Sequence, residues 1–141
     1  MLNQLNIDCM VGLFWSFYYS HGKILVPSFN KTTAGVYMVV EPITVVDIGD
    51  RRSLKEAIVM SIERGNPIIP HPNREEMSKP NHFFKRLGFK THKSFFNTAS
   101  RWDVWLSDGI FGIQSWKDPD GTNYRSPDTS KKITLPPNTT V

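Results

Sequence analysis

At 141 residues and 16.2 kDa the chain has the length of one domain and hardly of two, and it is long enough to bury a core without disulfides or a structural metal. Hydrophobic residues make up 39 % and charged residues 21 %, with nine Phe, four Trp and four Tyr, which excludes wholesale disorder. The single cysteine, Cys9, excludes an intrachain disulfide framework and a multi-cysteine zinc site; beside an apolar strand it reads as core filler.

The apolar stretch from Cys9 to Tyr19 is too short to span a bilayer, and no lysine or arginine precedes it as in a signal peptide. A soluble, cytoplasmic protein without membrane attachment is expected. The net charge of +4 is uneven: residues 1–50 carry two Lys/Arg against four Asp/Glu, residues 51–101 eleven against four, and residues 102–141 four against five. Such a basic middle attracts nucleic acid or an acidic protein surface; a solvated lysine-rich face is the plainer reading and the preferred one.

In chain order, Leu13 to Tyr19 is aromatic-rich and suits a strand, and Ser20-His21-Gly22-Lys23 supplies a turn. Ile24 to Phe29 follows as a second strand, in which Pro27 marks an edge or a bulge because it has no N–H for the ladder. Val36 to Val40 and Ile43 to Ile48 are two strands or one bent strand, completing an antiparallel meander. Ser53-Leu54-Lys55-Glu56 has the form of a capping box, and Leu54, Ala57, Ile58, Ser61 and Ile62 share one helical face. Gly65 and Pro67 end that helix, predicted over Ser53–Arg64. Pro67 to Pro72 is extended, Glu75 to Ser78 a turn, and Asn81 to Leu87 a short helix facing Phe83, Phe84 and Leu87 inward. Phe89 to Ser100 fits strand or helix equally. Trp102 to Leu106 and Ile110 to Trp116 form a hairpin about Asp108-Gly109, Asp118 to Gly121 turns, and Ile133 to Leu135 is a last short strand. Residues 137–141 read as a frayed tail. The whole, residues 1–141, is expected to be a single α+β domain, a mostly antiparallel twisted sheet with two or so helices.

No chemistry-bearing motif emerges. His21, His71, His82 and His92 include no pair one helical turn apart, phosphate-cradling glycine loops are lacking, and Glu75-Glu76 are neighbours in a turn. Neither enzyme activity nor a cofactor is expected, and no metal. Lys85, Arg86, Lys90, Lys93 and Arg101 interleave with Phe83, Phe84, Phe89, Phe95, Phe96 and Trp102, a composition that suits single-stranded nucleic acid. The competing reading makes these rings core and the cations their solvated cover.

From Ser53 onward the order of features is distinctive. The capped helix leads into Gly65-Asn66-Pro67-Ile68-Ile69-Pro70-His71-Pro72 and then Lys93-Ser94-Phe95-Phe96. Ala99-Ser100-Arg101-Trp102-Asp103-Val104, Asp108-Gly109-Ile110-Phe111-Gly112-Ile113 and Ile133-Thr134-Leu135-Pro136-Pro137-Asn138-Thr139 follow. Over residues 53–139 this resembles the immunity proteins of bacterial contact-dependent growth inhibition systems. The resemblance implies a small cytoplasmic α/β protein that binds the C-terminal toxin domain of its cognate effector, commonly a nuclease, and occludes it. Some such immunity proteins are similar in fold to Whirly single-strand DNA-binding proteins. A toxin interface of this kind buries roughly 800 Å² and about 20–30 residues on each partner. The expected contact residues are Trp116 and Tyr124 as anchors, with Asp118 and Asp120 facing toxin cations. A single-strand nucleic-acid binding module using Lys85, Arg86, Lys90 and Lys93 is the alternative.

Overall fold

The His21-Gly22 and Asp108-Gly109 pairs both take positive φ at their two central residues, the geometry that closes a two-residue hairpin. In the computed structural model, which describes residues 12–79, 82–116 and 127–135, these turns organise an antiparallel sheet. The first joins β1 (Gly12–Ser20) to β2 (Lys23–Thr32), and the second joins β5 (Ser100–Ser107) to β6 (Ile110–Trp116). With β3 (Tyr37–Asp47) and β7 (Pro127–Leu135) at the edges, the order is β3-β2-β1-β5-β6-β7. A two-residue β4 (Ile68–Ile69) runs parallel to the end of β2.

The first half is the expected meander. Pro27 is a bulge and not an edge, since β2 lies between β1 and β3, and the register shifts between Val26 and Ser28. Glu41-Pro42 does not split β3, which is continuous across it. β7 is longer than Ile133–Leu135, because as an edge strand it pairs through its backbone without an apolar sequence signal. The segment left open between strand and helix resolves into α3 (His92–Thr98) followed by β5.

The long helix, α1 (Arg51–Arg64), starts two residues before the expected capping box. Asp50 is its cap, accepting from the Ser53 N–H at 3.1 Å, while Glu56 pairs with Arg52 and does not reach back. The capping box occurs instead in α2 (Arg74–Ser78), where Asn73 and Glu76 bond each other's backbone, in the stretch expected as a turn. Phe83–Leu87 is a 3₁₀ turn closed by left-handed Gly88, with Phe83 and Phe84 buried as expected.

Alternation divides the sheet into two faces. On one, Trp15, Phe17, Ile24, Val26 and Val104 pack beneath α1. On the other, Tyr18 and Leu25 meet Phe83, Phe84 and Phe95 from the 3₁₀ turn and α3, with ring centroids of 5.0 Å for Tyr18–Phe95 and 5.4 Å for Phe83–Phe95. β1 and β2 pair only from Tyr18 to Ser20 on β1, and beyond that Asn66 enters between them. Its Oδ1 accepts from the Phe14 N–H at 2.7 Å, and its Nδ2 donates to the Phe14 carbonyl at 2.9 Å. Nearby the Ser61 hydroxyl donates to the Pro27 carbonyl at 2.9 Å, and the Trp15 indole donates to the Ser61 carbonyl at 3.0 Å. The polar groups freed by the bulge and the fork are thus bonded by side chains.

Candidate partner-binding groove

Of the residues expected to contact a toxin, Asp118, Asp120 and Tyr124 lie outside the described residues. Trp116 is described, and it is not an exposed anchor: it is 5 % exposed, its indole donates to Asp103 Oδ2 at 2.7 Å, and the Arg101 guanidinium lies 4.4 Å over its ring. Asp103 also accepts from Ser16 at 2.6 Å and from Arg101 Nε at 2.9 Å. Burial opposes the charge of Arg101, but Tyr18 and Asp103 outweigh it and its pKa is raised. This buried cluster ties β1, β5 and β6 together on the sheet face opposite α1.

Lys85, Arg86, Lys90 and Lys93 are all exposed, whereas Phe83, Phe84 and Phe95 between them are buried and Phe89 and Phe96 half-buried. Arg86 is occupied. It pairs with Glu41 and donates to the Ile43 carbonyl at 2.9 Å, while Glu41 accepts from the Ile43 N–H at 2.9 Å. The bond from Arg86 holds the Glu41 carboxyl below its ordinary pKa. Together the two side chains occupy both backbone groups of Ile43 on edge strand β3, which blunts pairing with another strand there.

The histidines are dispersed. His71 bonds Thr32, His21 bonds Ser20, and His92, though exposed, packs its ring on Phe96 at 4.4 Å, where partial desolvation lowers its pKa. Among the described residues no three His, Cys, Asp or Glu side chains are grouped to hold a metal ion, and no helix is long and apolar enough to cross a membrane.

What the fold does assemble is a groove of about 360 Å³ between β3 and one flank of α1. Asp47, Asp50 and Glu56 line it around Val46, Ala57 and Met60, and no basic side chain is in the lining among the described residues. Met60 is 64 % exposed, and Ile48, just beyond Asp47, is 48 % exposed. Hydrogen bonds from Ser53 hold the Asp50 carboxyl below its ordinary pKa, so it stays charged. Asp47 pairs with Lys23 at 3.0 Å and Glu56 with Arg52 at 3.2 Å. Both pairs are open to solvent, where an ion pair is weak and a competing cation displaces it readily.

Sequence reading missed this groove because it joins two elements. Its one local signal is Met60, an apolar residue off the buried stripe of α1. The acidic balance of residues 1–50 contributes Asp47 and Asp50 to it.

No family model matches the chain, and no curated protein does. Among solved structures it is similar to NMB0488, a protein of unknown function from Neisseria meningitidis, with a TM-score of 0.60 and 11 % identity over 88 % of this chain and 83 % of that one. The two share a fold. At that identity the likeness extends no further.

Proposed function

We propose that the protein is a cytoplasmic immunity protein that captures and occludes the toxin domain of a contact-dependent growth inhibition effector, without catalysis of its own. The observation that carries this reading is the β3–α1 groove. A nuclease toxin concentrates positive charge where it binds nucleic acid, and a blocking partner needs local negative charge around an apolar centre. Asp47, Asp50 and Glu56 around Met60 supply that arrangement on a chain whose overall charge is positive.

The reading expects an open reading frame immediately upstream that encodes a very long secreted protein, and the test begins with the C-terminal domain of that protein. That domain is expected to co-purify with the full chain, and the chain to protect cells that express it. Reversing both Asp47 and Glu56 to Lys is expected to weaken capture at least tenfold while the far-ultraviolet circular dichroism is unchanged. Unaltered affinity moves the interface away from the groove; absence of capture by the unmodified protein overturns the reading itself.

A further inference from the structure

The two flanks of α1 differ. Opposite the acidic groove, α1 and the sheet leave a recess of about 340 Å³ whose lining among the described residues is apolar, with Leu54, Ile58 and Ile62 as its wall and Trp102, Phe111 and Ile113 on its floor. It exists because α1 packs over β2 and β3 while the same sheet face continues across β5, β6 and β7. The consequence is visible along the helix: Leu54, Ile58 and Ile62 are only half-buried, and the buried members of the stripe are Ala57 and Ser61. At the far side Ile133 is 55 % exposed.

Apolar walls without packed neighbours forgo dispersion contacts, and an apolar guest seated there restores them and removes apolar surface from water. At 340 Å³ it stands at the small end of ligand sites, which run from roughly 300 to 1,000 Å³. On the recess flank of α1 two cations stand among the described residues. Arg51 and Lys55 sit three residues before Leu54 and Ile58, hence on the recess flank of α1. Both are exposed, and neither forms an ion pair among the described residues, where the pair of this helix is Arg52–Glu56.

We propose that the recess is a binding site for an amphipathic carboxylate, a medium-length acyl chain whose tail fills the apolar space and whose head meets Arg51 and Lys55. This site is separate from the groove and does not depend on toxin capture. The probe is dodecanoate, titrated below its micelle concentration into the full chain by calorimetry, with dodecyltrimethylammonium as a ligand of equal tail and opposite head. Saturable binding of one dodecanoate per chain is expected, and at least tenfold weaker binding in Ile113→Trp, which fills the floor. The double variant Arg51→Glu/Lys55→Glu changes only exposed side chains; it is expected to weaken dodecanoate at least fivefold and to leave the ammonium ligand unweakened. No saturable binding overturns the proposal, as does a dimer that excludes dodecanoate or equal binding of both head groups by the unmodified protein. Dodecanoate affinity unchanged in the rim variant overturns it even if Ile113→Trp does not fold.

Discussion

Replacing Asp103 by Asn keeps the shape of the side chain and removes its charge from a site where Asp103 is 4 % and Arg101 8 % exposed. Oδ1 accepts from Ser16 and Arg101 Nε, and Oδ2 from Trp116 at 2.7 Å and Arg101 at 3.3 Å. Whichever way the introduced amide turns, its NH₂ faces an N–H of Arg101 or Trp116, and the guanidinium is left buried without a counter-charge. Breaking a buried pair in this manner costs about 3–5 kcal/mol, a large share of a total stability of roughly 5–15 kcal/mol. At about 3 °C per kcal/mol for a chain of this size, Tm is expected to fall by roughly 10–15 °C. Urea unfolding followed by tryptophan fluorescence reads the loss directly, with an unchanged m-value showing that the unfolding surface is the same. Arg101→Met in the Asp103→Asn background is expected to restore part of the stability, because it removes the stranded charge. A cost below about 1 kcal/mol for Asp103→Asn, or a further loss in the double variant, would refute the argument that a buried charge pair is what holds β1, β5 and β6 here.

Gly112 pairs with Trp105 across β5 and β6, and an added Cβ would run into the Trp105 indole. Gly112→Ala is therefore expected to displace that ring and cost about 1–3 kcal/mol, read by urea titration and by altered near-ultraviolet circular dichroism; an unchanged stability would show that the ring yields freely. Partial desolvation against the neighbouring rings depresses the pKa of His92 from 6.5, so the unfolded chain takes up that proton first. Stability is thus expected to be complete above about pH 6.5 and to decline as the pH falls through the lower folded value, and His92→Phe should abolish the decline. Glu41 and Asp50, whose pKa values are also lowered, lose their contributions only below 4.5 and 3.8, so their window is separate. A urea midpoint that is flat between pH 7 and 5 would contradict the assignment.

The strands and the long helix were legible because their signals are local: an aromatic-rich run in β1, alternation in β5, two-residue turns at Gly22 and Gly109, and the apolar stripe of α1. Ser53-x-x-Glu56 misled because Asp50 is an equally good cap one turn earlier and Arg52 takes up Glu56. Asn73 and Glu76 form a capping box that the surrounding prolines obscured. Trp116 looked like an anchor because nothing in its neighbourhood reveals Asp103, which reaches it through strand pairing. The groove and the recess depend on where a single helix settles across a six-strand face, and no window of residues encodes that placement.

Asn66 has a consequence for how the molecule comes apart. It belongs to the connection that follows α1, yet it supplies the partner that Phe14 would otherwise find on a neighbouring strand. Lifting the helix layer away therefore leaves the Phe14 backbone without these partners, and separating the first strand breaks the same two bonds. Together with the bonds of Ser61 to Trp15 and Pro27, this amide couples the helix layer to the sheet beneath it.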